Sequence, residues 1–291
     1  MEIGWDRLVA KGSIIPDEGL CMTILHCLAS TGENLGLGNQ IIAFLKQSLI
    51  KIQEHHIAPI LLCLEQAQPD DIGYALALLH LISEERITPN NATMQPVVRM
   101  LSRDNEIRTR AIEWLKIKAK NRKDVSIHAW NCIIAAQVGA VSTNSSIGLP
   151  EFQQAISLLG DARLFGIFPD TRTYNLFLRG CMRLKRPEMG RNLYKMMLKR
   201  GVERNAETYE RLILLTLLED DYEDAFMYLE QMQKEKFVPS ALMLMAMARK
   251  CAGKADTRWK TCVWQMERLD YPIPEEWLQS IMPVTVEVQS E

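Results

Sequence analysis

A repeat of 35 residues constrains the fold of this chain more than any other feature of its sequence. Two consecutive segments, 171–205 and 206–240, follow one plan. Each begins with a helix that has an apolar stripe and a tyrosine, and continues with a second helix that has a small residue, Gly190 or Ala225. One helical hairpin cannot bury both faces of its helices, so consecutive hairpins must stack. The sequence therefore predicts an all-α fold, a right-handed α-solenoid of stacked helix-turn-helix repeats of about 35 residues.

Proline and glycine mark the ends of the second helix in the clearest repeat. Pro187 is placed to open this helix, because the missing N–H of proline costs nothing at the first helical position. Gly201 follows Lys199 and Arg200, so cations lie near the carbonyl end of the helix and are followed by a residue that can turn left-handed. We therefore expect the helix to run from Pro187 to just before Gly201.

The same plan extends in both directions with weaker signals. A third repeat fits residues 127–170 if a polar loop is inserted over 141–150, which gives three well-formed repeats over 127–240. The flanking segments are assigned as the second half of a truncated repeat (1–17), three degenerate repeats (18–126), a degenerate repeat and cap (241–282) and a polar tail (283–291). Because residues 1–17 would begin inside a repeat, we expect the chain to be a piece of a longer array.

Several functional classes are disfavoured by the residues present. The apolar runs are too short for a membrane-spanning helix. The seven cysteines form no C-x-x-C pair, which indicates buried free thiols in a reducing compartment. The five histidines show no spacing typical of a metal site, and no catalytic motif is found. We therefore predict no enzymatic activity, no catalytic residues, no metal and no cofactor.

The repeats resemble the pentatricopeptide repeat. The likeness is carried by the period, the tyrosine, the small residue of the second helix, and the endings KRGV at 199–202 and GIFPD at 166–170. It is strong over 127–240 and weaker elsewhere. Tetratricopeptide repeats are the alternative, but they have a period of 34 and a W-x-x-L-G-x-x-Y start, and no Leu-Gly pair occurs in the first helices of the two clearest repeats.

The resemblance implies a single-stranded RNA-binding adaptor of the mitochondrial matrix that acts in transcript stability, processing or translation. It implies that each repeat reads one base along the concave face, with the residue after the aromatic and the last residue of the unit. In this sequence the pairs are Asn131 with Asp170, which the family associates with uracil, and Asn175 with Asn205, associated with pyrimidines.

Other repeats depart from the pattern that the resemblance implies. Glu210 with Ser240, and Ile60 with Asn90, are pairs of this kind. They favour the alternative function, a protein–protein scaffold or a subunit of a ribosome-like or assembly complex without direct base readout. Both functions hold if the array docks on a ribosome or another ribonucleoprotein.

Charge is distributed unevenly along the chain. The net charge of −2 argues against generic nucleic-acid binding, but segment 171–205 carries +8 and segment 91–126 carries +5, whereas 206–240 and 1–90 each carry −6. We therefore expect salt-sensitive contacts of the two basic segments with phosphates. Further RNA-binding candidates are Arg172 and His128, which could stack on bases, and Lys116, Lys118 and Lys120.

Overall fold

The structure, a computed structural model, describes Trp5, Val9 and residues 15–121, 125–140 and 145–281, with the backbone alone for 145–147. Every regular element in this part of the chain is helical, so the all-α prediction is confirmed. The first helices of consecutive hairpins are α1 (Glu18–Thr31), α3 (Glu54–Ala67), α5 (Asn91–Ser102), α7 (Ile127–Ala140), α9 (Thr171–Leu184), α11 (Ala206–Thr216), α13 (Ala241–Gly253) and α15 (Glu275–Ile281). The second helices are α2 (Leu35–Gln47), α4 (Ile72–Glu84), α6 (Asn105–Lys120), α8 (Ser145–Asp161), α10 (Pro187–Lys199), α12 (Glu223–Lys234) and α14 (Trp259–Arg268). A short 3-10 helix, Ala162–Phe165, continues α8.

The chain divides into two compact units. The first unit comprises Met1–Val141 and Pro150–Pro169, and the second comprises Ser142–Leu149 and Asp170–Glu291. Within the first unit the first helices α1, α3, α5 and α7 pack one on the next; within the second unit α9, α11, α13 and α15 do the same. We call each row of first helices the first-helix layer. This serial packing confirms the predicted α-solenoid of helical hairpins.

The two clearest repeats bury the same residues 35 positions apart. Tyr174 and Tyr209 are fully buried, and their hydroxyl oxygens accept hydrogen bonds from Arg200 (3.2 Å) and Arg204 (3.1 Å) respectively. A buried tyrosine needs such a partner, because an unpaired hydroxyl in the core costs free energy. Gly190 lets α10 approach α11 closely, since a Cβ atom there would lie 2.7 Å from Leu215 Cδ1.

The predicted helix ends are confirmed in the clearest repeat. Pro187 is the first residue of α10, and Gly201 has a φ of 66°, which a residue without Cβ adopts at no steric cost. The helices α9 and α11 begin at the residues where the sequence repeats begin, Thr171 and Ala206.

The prediction of an inserted loop over 141–150 is wrong for residues 145–150, which form the first part of α8. Pro150 is the sixth residue of this helix and removes one backbone hydrogen bond, which explains why the segment reads as a loop. Residues 141–144, the tail 283–291 and most of the truncated repeat 1–17 lie outside the described residues. Trp5 is buried, with its ring edge-on to Phe44 at 5.8 Å.

The prediction of buried free thiols is confirmed for six of the seven cysteines, whereas Cys27 is free but exposed. Burial raises the pKa of the Cys181 thiol to about 12, so it stays protonated and unreactive. Among the described residues, no helix combines the length and the apolar character that a membrane span requires.

Candidate nucleic-acid interface

The last residue of each clear repeat caps the first helix of the next. The side-chain oxygens of Asp170 and Asn205 accept hydrogen bonds from the backbone N–H groups of Thr173 (2.8 Å) and Thr208 (3.0 Å). Both threonines complete a capping box through their hydroxyl groups. These caps fix where α9 and α11 begin, and so they fix the orientation of the side chains one turn later.

The predicted pair Asn175 and Asn205 lies in direct contact in the second unit. Asn175 Nδ2 donates to Asn205 Oδ1 (3.0 Å) and to Glu207 Oε2 (3.1 Å), and Asn175 Oδ1 accepts from the hydroxyl of Thr208 (2.8 Å). Asn175 is 2% exposed, so its amide is engaged within the protein, whereas Asn205 is exposed. No residue of the described chain accepts a hydrogen bond from Asn205 Nδ2. The outward-facing donor of the pair is therefore this Nδ2 group.

The predicted pair Asn131 and Asp170 is divided between the two units, so each residue is described by itself. Asn131 follows the buried Trp130 in α7 and is 1% exposed. Asp170 is half-buried, and its Oδ1 accepts from the Thr173 hydroxyl (2.8 Å) as well as from the backbone. The role of this pair in base readout stays a prediction.

The third pair presents a carboxylate at the position of Asn175. Glu210 Oε1 accepts a hydrogen bond from the backbone N–H of Ser240 (3.2 Å). On the same helix Arg211 forms an ion pair with Glu207 and donates to the carbonyl oxygen of Asn175 (2.8 Å). This stretch of α11 therefore offers little uncompensated positive charge to a polyanion.

The predicted pair of Ile60 with Asn90 has the wrong register. The pairing of Ile60 with Asn90 assumes a repeat that begins at His56. Helix α3 begins two residues earlier, at Glu54, so Ala58 is its fifth residue, as Asn175 is the fifth of α9. Ile60 is 1% exposed and belongs to the core. The register was misread because α3 has Ile57 where the clear repeats have a tyrosine.

One face of α9 carries two arginines that form no ion pair among the described residues. Arg172, Arg179 and Arg183 recur at seven and four residues, which places them on one face of the helix, with Leu176 between the first two. Arg179 is exposed and Arg172 is half-buried. Neither of these two arginines forms an ion pair with any described residue. We call the four side chains the arginine face.

Other charges of the basic segment are compensated by the acidic segment that follows it. The cross-repeat ion pairs of the second unit are Arg191 with Glu219, Arg204 with Glu235, Lys254 with Asp220 (2.8 Å) and Arg258 with Glu223 (2.6 Å). Each joins residues 28 to 35 positions apart. The +8 and −6 segments are thus partly neutralised by ion pairs between neighbouring repeats, and Arg172 and Arg179 take no part in these pairs.

The other predicted basic residues do not share one helix layer. Lys116, Lys118 and Lys120 are in the second helix α6, where Lys118 Nζ lies 4.8 Å above the ring of Trp114. His128 is half-buried in the first turn of the first helix α7. The two lysines of the last turn complement the helix dipole, which accounts for them without RNA. Their part in an RNA interface stays a prediction.

A cluster of two histidines and a glutamate, which the sequence analysis did not predict, lies in the first unit. Glu18 Oε1 is 3.3 Å from His55 Nε2 and 3.1 Å from His56 Nε2. The backbone N–H of Gln53 donates to His56 Nδ1 (3.0 Å), so a neutral His56 carries its proton on Nε2 and has no lone pair there for a metal ion. Burial lowers the pKa of His56, which favours this neutral form. The spacing hid the cluster, because Glu18 lies 37 residues before His55.

Comparison with known proteins agrees with the repeat architecture. A model of a family described as pentatricopeptide repeat-containing protein matches residues 18–150, and a model of the PPR repeat family matches 169–216. A mitochondrial pentatricopeptide repeat-containing protein of Arabidopsis thaliana is 28% identical over 131 residues, which cover 45% of this chain and 20% of that protein. The match thus spans a fifth of the relative.

Two solved structures share the fold. The PPR domain of Arabidopsis thaliana protein-only RNase P 1, solved in complex with tRNA, has a TM-score of 0.50 and 15% identity, over 65% of this chain and 95% of that one. The pentatricopeptide repeat protein PPR10, solved in complex with an 18-nt psaJ RNA element, has a TM-score of 0.50 and 12% identity, over 95% of this chain and 39% of that one. Together, the two family models match more than half of the residues, and the chain belongs to the pentatricopeptide repeat family.

Proposed function

We propose that this chain binds single-stranded RNA through the first-helix layer of its second unit and acts as an adaptor without catalysis of its own. The observation that carries the proposal is the arginine face, where Arg172 and Arg179 have no ion-pair partner in the described chain. The structural relatives support it, because PPR10 was solved with an RNA element and the RNase P 1 domain with tRNA.

The arginine face would hold the phosphate backbone. Arg172 and Arg179 are seven residues apart, which is about 10 Å along the helix axis at 1.5 Å per residue. Guanidinium groups bind phosphate oxygens with two parallel hydrogen bonds, and Leu176 between them offers an apolar surface to a base. Such contacts give affinity but carry no sequence information.

Asn205 would supply the selectivity. Its Oδ1 is occupied by the helix cap and by Asn175, so the side chain presents hydrogen-bond donors and no free acceptor. An unstacked uracil or cytosine offers carbonyl acceptors on its Watson–Crick edge. In this arrangement Asn175 is a positioning residue, because it orients the Asn205 amide without reaching the base.

Paired charge removals test the proposal. In titrations of labelled, uracil-rich single-stranded RNA against the full chain, R172A/R179A is expected to weaken binding by about tenfold or more, since each lost charge-assisted hydrogen bond is worth about 1.5 kcal/mol or more. The matched control is K195A/K199A, which removes two exposed charges from the second helix α10. Equal losses in the two variants, or no binding by the wild type, would overturn the proposal.

We further propose that the protein acts in the mitochondrial matrix on the stability, processing or translation of a transcript. The mitochondrial relative from Arabidopsis thaliana supports the compartment. Crosslinking in cells, followed by separation of mitochondria from cytosol and sequencing of the RNA bound in each fraction, tests both parts. Recovery of RNA from the cytosol and none from mitochondria would contradict the assignment.

A further inference from the structure

The first unit has a cavity at the repeat position where the second unit has the hydrogen-bonded side chains of Asn175 and Asn205. The cavity, of about 410 Å³, opens on the first-helix layer between α1, α3 and α5. Ala58 and Pro59 line it, and they are the fifth and sixth residues of α3, whereas α9 has Asn175 and Leu176 at these positions. Small and ring-closed side chains thus leave a recess where the clear repeats place an amide.

Two prolines leave backbone carbonyl oxygens of cavity-lining residues without their usual helical hydrogen bond. Pro59 and Pro96 lie inside α3 and α5 and have no N–H to donate to the residue four positions earlier. The carbonyl oxygens of His55 and Ala92 therefore do not receive this helical hydrogen bond, and both residues line the cavity. Each carbonyl oxygen therefore lacks the donor that a helix normally gives it, in a residue that lines the cavity.

The charged side chains of the wall add a carboxylate oxygen. Glu54 Oε1 accepts from the backbone N–H of Asn90 and from the hydroxyl of Thr93, both at 2.6 Å, and Glu54 Oε2 has no hydrogen bond within the described chain. Arg99 also lines the cavity, but its guanidinium donates twice to Glu65 at 2.5 Å, so its charge is compensated. The wall is therefore rich in acceptors over an apolar floor.

We propose that this cavity receives an arginine side chain of a protein partner. A guanidinium group is planar, always charged and has five N–H donors, which suit carbonyl and carboxylate acceptors, while its methylene stem suits the apolar floor. The stretch 18–102, which contains the three helices around the cavity, carries eight acidic and four basic residues, a net charge of −4, which attracts a basic protein segment and repels the phosphates of RNA. This site is separate from the proposed RNA interface, so each can fail without the other.

Short peptides and the full chain test the proposal. One peptide carries a single arginine between leucine and glycine residues; its control carries citrulline, which has the same shape without the charge. Backbone NMR shifts of the cavity residues report binding. We expect the arginine peptide to bind about tenfold more tightly than the citrulline peptide, since hydrogen bonds to a charged group are worth about 1.5 kcal/mol or more.

Three variants locate the binding site. Glu54→Gln keeps an oxygen for Asn90 and Thr93 but removes the charge, and is expected to weaken arginine-peptide binding about tenfold. Ala92→Trp fills the cavity from an exposed position and is expected to abolish binding. Glu113→Gln removes an exposed charge from the second helix α6 and is expected to leave binding unchanged.

The proposal is overturned by equal binding of the two peptides, by no peptide binding at all, or by equal effects of Glu54→Gln and Glu113→Gln. It is also overturned if single-stranded RNA, and not the peptide, shifts the cavity residues. Thermal unfolding of each variant shows whether the fold is retained. Loss of RNA binding through the arginine-face variant R172A/R179A leaves all these outcomes unaffected.

Discussion

Asn175→Ala is expected to destabilise the second unit by about 2 kcal/mol. The substitution removes three hydrogen bonds, to Asn205, Glu207 and Thr208, each worth about 1 kcal/mol net. The higher helix propensity of alanine returns about 0.6 kcal/mol. The freed groups of Asn205 and Glu207 are exposed and can bind water, whereas Thr208 is buried. The Thr208 hydroxyl keeps its bond to Asn205 (2.9 Å), which holds the loss below the sum of the three.

Urea denaturation of wild type, Asn175→Ala and the control Asn192→Ala measures this loss. Asn192 is exposed on α10, so its replacement is expected to change the free energy of unfolding by less than about 0.5 kcal/mol. Asn205→Ala is expected to cost about 1 kcal/mol as a lost cap, and the double variant should show a coupling of at least about 0.5 kcal/mol. A loss below about 0.5 kcal/mol for Asn175→Ala would refute the positioning role.

Three further predictions concern stability and reactivity. Hydrogen bonds from Arg258 hold the pKa of Asp256 at about 2, below its ordinary value of 3.8, so this carboxylate stabilises the fold above about pH 4 and the gain is lost as the pH falls toward 2. The melting temperature of Asp256→Asn should therefore depend less on pH between about 4 and 2 than that of the wild type. An equal pH dependence of the two proteins would contradict the stabilising role of the Asp256 carboxylate. In urea denaturation, Gly190→Ala should change the free energy of unfolding by less than about 1 kcal/mol, because the higher helix propensity of alanine offsets the displacement of Leu215. Gly190→Leu should cost about 2–3 kcal/mol. Equal effects of the two variants would contradict the close approach of α10 to α11 at Gly190. Cys27 is the exposed cysteine, so mass spectrometry should show one fast maleimide adduct on the native chain, and several simultaneous adducts would count against the buried thiols.

The fold could be predicted from the sequence because short-range signals specify its helices and their ends. The apolar stripes, Pro187 at a helix start and Gly201 past a helix end act within one or two turns, and the structure places each as predicted. The register of α3 was misread because Ile57 stands where an aromatic would mark the repeat. The loop prediction failed over 145–150 because proline and glycine disfavour a helix without excluding it.

The candidate site could be predicted less well, because its hydrogen bonds and ion pairs join residues of neighbouring repeats. Asn175 becomes buried when α11 packs on α9, and no local pattern reveals that its amide is saturated by residues 30 to 33 positions later. The net charges of the segments, +8 and −6, do not show which charges pair in the fold. The ion pairs of Arg191 with Glu219 and of Arg204 with Glu235 could therefore not be predicted from them. The cluster of Glu18 with His56 escaped detection for the same reason.

The salt dependence of RNA binding tests the central claim, that the arginine face holds the phosphate backbone. Each phosphate contact on a single strand contributes about 0.7 to the slope of log affinity against log salt. Between about 50 and about 300 mM salt, wild type should lose affinity steadily, R172A/R179A should show a slope shallower by about 1.4, and K195A/K199A should match wild type. An unchanged slope in R172A/R179A, or a wild-type affinity that does not depend on salt, would contradict the claim.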